Sequence, residues 1–371
     1  GGNAPYNAAL ALQQRNFALY AQDTWHVTNR LTLTAGLRYE LQTPRTERYN
    51  RLNYFATQAV NPLSAQTGLD LKGGLVFATP DKRDYWDGQN WDFAPRVSLA
   101  YKITNNLVLR TGYAIFDSVT SASRFYGSSD GFSTNTDWVA TVGGGGILPA
   151  NPVSNPFPQG LNQPIGASQG LLTEVGQSVN AFQRYHPTPY VQSYSVDFQY
   201  MIGRGSVIEA GYTGVQGRKL LMGVSRNINQ LDPKYLSLGD ALNNQVTNPF
   251  YGVIENGPLS GPTIPYWRTL VPYPQFQAVS LSGDTPGSSS SYNALLVKFS
   301  HRFGTSLTAI ATYQWSKALD NVSETQAWEV NDRIRDSYNL AVDRSISAHD
   351  LPHDFVATAI WEVPVGKGKR F

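Results

Sequence analysis

The chain has 371 residues, with 29 Lys plus Arg against 27 Asp plus Glu, a formal net charge of +2 and no cysteine. That balance excludes a nucleic-acid binder, whose cations must neutralise rows of phosphates, and the missing thiols exclude disulfide scaffolds and cysteine-based zinc sites. Charged residues are only 15% and aromatics reach 12%, the reverse of a disordered chain, and no run approaches the roughly 18 apolar residues of a helical span, which leaves a large soluble all-β protein or a membrane β-barrel.

The mean hydropathy of -0.32 does not separate these two, because only every second residue of a spanning strand meets lipid. The chain opens Gly1-Gly2 with no Met, charged n-region or apolar h-region, so it is expected to be a piece of a longer protein whose targeting segment lies outside it.

In chain order, Phe17, Leu19, Ala21, Trp25 and Val27 alternate with Tyr20, Gln22, Thr24 and His26, a period of two that predicts a strand. Asp23 falls in the apolar phase, which a bulge or a place near the membrane edge would explain. The turn Thr28-Asn29-Arg30 leads into the clearest alternation, Leu31, Leu33, Ala35, Leu37, Tyr39 and Leu41 against Thr32, Thr34, Gly36, Arg38, Glu40 and Gln42. The module recurs. Val97 to Ile103 turns at Thr104-Asn105-Asn106 into Leu107 to Ile115, and Tyr190 to Ile202 turns at Gly203-Arg204-Gly205 into Ile208 to Tyr212. Leu295 to Phe303 turns at Gly304-Thr305 into Leu307 to Trp315, and Phe355 to Val363 ends at Pro364 and the basic turn Val365 to Lys369. Nine strands are predicted.

Connections alternate between these short turns and long segments, about Thr43 to Asn90, Ser118 to Thr188, Gly217 to Ser290 and Asp320 to Pro352. A soluble sandwich has no reason to place every long loop at one end, whereas outer-membrane barrels have short periplasmic turns and long extracellular loops. Trp25, Tyr101, Tyr200, Phe303 and Trp361 lie close to the short turns, as an interfacial girdle requires. The loops are rich in Gly, Pro, Ser and Asn, as in Gly143 to Gly146 and Asn151 to Pro158, and read as irregular. Within them Gly74 to Ala78 suits a short strand, and Leu231 to Asn244, opened by Asp232-Pro233, a helical turn or two.

Three motifs have chemical and bland readings. Gly127-Ser128-Ser129-Asp130-Gly131 matches G-x-S-x-G, but a nucleophile elbow needs a following helix and Phe132 to Thr136 has no helical pattern, so a chance match is the better account. His349 and His353, four apart and flanked by Asp350 and Asp354, would share a helix face for a divalent metal, but Pro352 lies between them and a strand follows, so they read as a polar lead-in. Gly366 to Arg370 lacks the spacing of a phosphate loop and reads as a basic turn able at most to touch lipid head groups. No catalytic residue, metal site or cofactor is expected. Tyr185, Trp267, Arg268 and Tyr273, in long loops, are residue types suited to gripping a polar ligand or sugar.

The stretch from Phe17 to Trp25 followed by Leu31 to Glu40 resembles the F-x-x-Q-D-x-W…L-x-G-x-R-Y-E strand pair of TonB-dependent outer-membrane receptors, and Phe93 to Tyr101 with Arg110 to Phe116 resembles their next hairpin. Tyr292 to Phe299, Tyr313 to Leu319, Asp343-Arg344 and His353 to Phe371 resemble the Oar-like branch. The resemblance covers nearly all strands and little of the loops. It implies a closed barrel of about twenty-two strands, an internal plug, and energy delivered by the TonB complex through N-terminal parts outside this chain. The expectation is therefore an all-β, antiparallel transmembrane β-barrel in the cell outer membrane, residues 1–371 forming one partial barrel domain without the plug, with Phe371 the start of a tenth strand. Its partners would be outer-membrane lipid, the TonB complex and an unidentified extracellular substrate, with no nucleic acid. If the register is right, Arg38, Glu40, Arg96, Lys102 and Arg110 point into the lumen. The alternative from another class is an outer-membrane adhesion or structural barrel that does not transport, and a third is a soluble β-enzyme, in which Leu31, Leu33, Leu37, Tyr39, Leu307 and Trp315 would fill a core between two sheets.

Overall fold

The computed structural model describes residues 2–84, 86–118, 128–142, 148–255, 257–281, 285–304, 306–322, 334–363 and 365–366. Nine long strands carry the fold: β1 (Asn16–Thr28), β2 (Leu31–Gln42), β3 (Asp92–Lys102), β4 (Leu107–Asp117), β5 (Tyr190–Ile202), β6 (Ser206–Met222), β7 (Thr285–Phe303), β8 (Leu307–Asp320) and β9 (His353–Trp361). Each pairs antiparallel with its sequence neighbours, so that strand order in the sheet is chain order. The sheet is open: among the described residues β1 bonds only to β2 along its length and β9 only to β8. The all-β, antiparallel expectation is met, and no helix is long and apolar enough to cross a membrane.

The lateral rows of the sheet do not run level. In register, Trp25, Leu33, Leu99, Thr111, Val196, Tyr212, Leu295 and Trp315 form one row. It begins three residues before Thr28, where β1 ends at its short turn, and finishes eight residues after Leu307, where β8 leaves its own. A row that climbs steadily across eight strands means strands slanted against the rim, the stagger that closure into a barrel requires.

One face of the sheet is apolar and open. Leu31, Leu33, Tyr39 and Leu307 are half-buried and Leu37 and Trp315 are 48% and 58% exposed, so the six residues that a soluble core would enclose line an uncovered surface. Exposed Tyr101, Tyr200, Phe303 and Trp361 occupy the short-turn end of that face. A second aromatic set lies toward the other end, with the Tyr39 and Phe93 rings 5.1 Å apart. Phe93 and Tyr101 are eight residues apart on β3, a contour of about 27 Å, which a tilt of about 40° reduces to about 20 Å, close to the apolar band of a barrel.

Asp23 keeps its place in the apolar phase opposite Ala35. The register shift of this hairpin lies between His26 and Thr28, so a bulge does not explain Asp23; its Oδ1 accepts the Thr24 N–H at 2.8 Å.

β6 and β7 run beyond the sequence expectation, staying paired up to Met222 and Thr285 with shifts between Gly217 and Leu221. Gly287 to Ser291 reads locally as a loop, but a neighbouring strand supplies the ladder partners, and pairing overrides propensity. The turn Val365 to Lys369 lies outside the described residues beyond Gly366, as do Pro364, Thr305 and Phe371.

Much of the described part of the long loops packs into a cap; Asn151 to Pro158 is turns and bends, as expected, and Gly143 to Gly146 lies outside the described residues. Phe55, Leu75, Val179, Ala181, Tyr273, Phe276, Val279 and Leu281 form one buried cluster drawn from three loops, and Leu63, Leu71, Phe250, Ile254, Leu259 and Ile264 form another. The predicted short strand is Leu75–Phe77, paired with Asn53–Phe55, and the predicted helical turns are 3-10 over Pro233–Asn243, with the Asp232 carboxylate accepting the Lys234 N–H at 3.0 Å.

Between these short ladders the cap backbone finds other partners, and buried asparagines supply several of them. The Asn61 amide donates to Gly73 O and Leu171 O at 2.8 and 3.0 Å while its oxygen accepts the Leu63 N–H. Asn229 does the same for Tyr273 and Phe276, and Asn248 for Leu259, Gly261 and Phe250.

Candidate functional site

The second face of the sheet collects the ions. Period-two geometry sends alternate side chains to opposite faces, and the register puts Arg38, Glu40, Arg96, Lys102 and Arg110 on one of them. Arg38 pairs with Glu40 through Nε, and Arg96 lies over the Phe116 ring with 4.7 Å to the centroid. Further ions share the face, among them Asp197, which stands opposite Arg110, and Glu209, opposite Lys298 with 3.6 Å between Oε2 and Nζ. Gln199 donates to Glu209 at 3.2 Å. These were legible, since Asp197 interrupts Val196 and Phe198, and Lys298 interrupts Val297 and Phe299, in the polar phase of their strands.

The apolar face carries small polar clusters: Ser206 Oγ and His301 Nδ1 lie 2.6 Å apart near its short-turn end, and a second is built around Asn293. Asn293 Oδ1 accepts the phenol hydroxyls of Tyr194 and Tyr212 at 3.0 and 2.8 Å, so three groups that would be costly in hydrocarbon satisfy one another. The Tyr194 ring lies on Gly214, where a Cβ would stand 2.2 Å from Cζ.

Above the sheet, the cap sorts the four loop candidates differently. Tyr185 is 63% exposed and bridges by backbone to Asp87. The Arg268 guanidinium stacks on the Trp267 ring at 4.3 Å and donates to Gln277 O at 2.6 Å; burial lowers its pKa. Tyr273 is a core residue, its ring 4.9 Å from that of Phe55, and burial raises its phenol. Trp267 and Arg268 therefore form one pair, while Tyr273 packs inside the cap.

The other motifs resolve into structure. Ser129 is followed by a turn closed by the Phe132 N–H and then by the strand Thr134–Trp138, not by a helix; Gly127 lies outside the described residues. Asp130 Oδ2 accepts the Asn180 N–H at 3.0 Å, and burial, with Glu174 nearby, pushes the Asp130 carboxyl up to about 6. His353 begins β9 and its Nδ1 shares a proton with Tyr313 Oη at 2.8 Å, whereas His349 sits in the preceding turn. Asp350 takes a ladder position instead, accepting the Ala318 N–H at 2.6 Å beyond the end of β9. Among the described residues no group of three His, Asp or Glu side chains is arranged to hold a metal.

Several solved structures are similar. The FrpB iron transporter from Neisseria meningitidis (F3-3 variant) aligns with 84% of this chain and 27% of its own at 10% identity and TM-score 0.35. The ferric-catecholate import receptor Fiu from K12 E. coli aligns with 94% and 32% at 11% identity and TM-score 0.39, and the copper transporter OprC with 83% and 29% at 10% and 0.34. The chain thus spans about a third or less of the length of these proteins. No curated protein sequence matches it. The sequence profile of the outer membrane beta barrel domain matches residues 2–371, and with the slanted open sheet, its aromatic bands and its ion-bearing second face, the chain belongs to the outer membrane beta barrel domain family, a family of the outer membrane.

Proposed function

We propose that this chain is wall and extracellular cap of a TonB-dependent outer-membrane transporter of the Oar-like branch. Arg38, Glu40, Arg96, Lys102 and Arg110, with Asp197, Glu209 and Lys298, line the lumen, and the role is transport, not catalysis. The observation that carries this reading is the division of the slanted sheet into an ionic face and an apolar, aromatic face: a wall with lipid on both sides would not hold these eight ions on one of them. Both edges of the sheet lack partners among the described residues, so closure calls for further strands, in line with the larger barrel the resemblance implies. Tyr185, Trp267 and Arg268 are the cap residues offered to substrate.

The test is site-directed cross-linking of the full-length protein to the periplasmic domain of TonB in intact cells, with cysteines at Ser98 and Val97 labelled by a water-soluble maleimide. Cross-linking together with labelling at Ser98 alone supports the reading. The packed cap would serve an adhesive barrel equally well, and labelling at Ser98 without any TonB cross-link selects that alternative. Labelling at Val97 and not at Ser98 overturns the face assignment.

A further inference from the structure

A cleft in the cap, formed within the second long loop, has the chemistry of a sugar site. Its floor is the strand Thr134–Trp138, which pairs with Gly2–Tyr6 along one edge. The opposite wall is a proline-rich turn closed by the Gly160 N–H on Phe157 O at 2.9 Å. Two bonds hold the walls: Asn162 N–H donates to Thr136 Oγ1 at 2.7 Å, and the Trp138 indole donates to Asn151 O at 2.9 Å. Between them lies a volume of about 380 Å³, within the range of small-molecule sites.

Asn135, Asp137, Asn151 and Gln159 line this cleft, and among the described residues none of their side chains makes a hydrogen bond within the protein. Three are amides, each with two N–H donors and a carbonyl acceptor, and the fourth is a carboxylate acceptor. Phe157 and Val139 add apolar surface to the same space. Asp137 is the one ionisable side chain among the described lining residues, so none of them supplies a cation to hold a phosphate, a sulfate or an anionic chelate. An extended peptide is disfavoured as well, because Asn162 Nδ2 already occupies Asn135 O at 2.9 Å and so blocks strand addition on that edge.

We infer that the cleft binds a neutral saccharide of one or two rings: hydroxyls, which donate and accept, meet the amides and Asp137, and a C–H face of the ring lies against Phe157. The inference rests on the reading of the long loops as extracellular and deepens it by naming a class of ligand; the cleft serves a transporter and an adhesive barrel alike.

The experiment is calorimetric titration and saturation-transfer NMR on the full-length protein extracted from outer membranes, with glucose, galactose, mannose and maltose as probes up to roughly 10 mM. The expected result is saturable binding of at least one probe. Asn151→Ala and Gln159→Ala should each weaken it roughly tenfold or more, the effect of one charge-free hydrogen bond lost from a site at the upper end of the usual range. Because neither side chain hydrogen-bonds to another described residue, both variants should retain the wild-type unfolding midpoint. No saturation with any probe, unchanged affinity in both variants, or saturation by inorganic phosphate or trialanine in place of the sugars would each overturn the inference. TonB cross-linking is scored separately on the same preparations: its loss with sugar binding retained removes the transporter reading and leaves the sugar site standing.

Discussion

Trp25 and Trp315 share one lateral row of the sheet, yet Trp25 lies three residues from the short-turn end of β1 and Trp315 eight residues from that of β8. Both face the apolar side at half exposure or more. The slant that separates them in depth also fixes which residue of each strand sits at mid-membrane. On β3 that residue is Val97, four residues from both Phe93 and Tyr101 and 56% exposed. Val97→Arg should cost about 2–4 kcal/mol in urea unfolding of the protein in bilayers, the range for a cation at the lipid midplane. Ser98→Arg, one residue along on the ionic face, should stay within about 0.5 kcal/mol, as surface changes do. Equal costs at the two positions would sink the two-faced description.

Gly214 is a space requirement of Tyr194, not a flexibility device. An added Cβ would lie 2.2 Å from the Tyr194 ring and drive the phenol off Asn293. Gly214→Ala should therefore destabilise by about 1–3 kcal/mol, the cost of overpacking. In a Tyr194→Ala background the same change should be nearly free, giving a coupling of similar size in a double-mutant cycle. Additive costs would mean that the ring is not what Gly214 accommodates.

Glu47 anchors the entry of the chain to the cap. It is 1% exposed; Oε1 accepts the Ala11 N–H at 2.9 Å, and Oε2 accepts those of Tyr49 and Arg51 at 2.7 and 3.0 Å. Glu47→Ala strands three donors, each costing about 1–3 kcal/mol if left dry, so a loss of about 3 kcal/mol is expected once water reaches some of them. Glu47→Gln, which keeps one acceptor oxygen, should fall between. Hydrogen exchange at Ala11, Tyr49 and Arg51 would read the effect locally, and unchanged protection in Glu47→Ala would refute the anchoring role.

The strands were legible because their information is local: six alternations from Leu31 to Gln42 specify a two-faced strand whatever lies beside it. Faces followed from the same count, which is why Arg38, Glu40, Arg96, Lys102 and Arg110 come out on one side in register. The cap was not legible. Phe55, Val179 and Phe276 meet in one cluster from three separate loops, and apolar residues so far apart in sequence leave no periodicity to count. Tyr273 shows the consequence: its residue type suits ligand contact, but its environment, set by Phe55 and Asn229 from elsewhere in the chain, makes it core. The β6 and β7 extensions were hidden for the same reason, since a Ser-rich run becomes strand only when its neighbour supplies the bonds.

Asp130 makes the stability of the cap depend on pH. Its carboxyl titrates at about 6 against an ordinary 3.8, chiefly because it is buried, and burial raises Glu174 as well. The folded cap thus holds a proton that the unfolded chain releases between these values, and the native state binds more protons across that interval. Stability must then fall as pH rises from about 4 to about 6 and level off above it, by about 2–3 kcal/mol for a shift of this size. Asp130→Asn keeps an oxygen for the Asn180 N–H and removes the charge, so the variant should be more stable than wild type at pH 7 and nearly indistinguishable from it at pH 4. Exchange at the amides of Asn53 and Asn180, which Ser128 O and Asp130 hold, measures the cap without unfolding the sheet. A wild-type profile that rises from pH 4 to 6, or a variant profile parallel to it, would show that the buried carboxylate does not govern the cap.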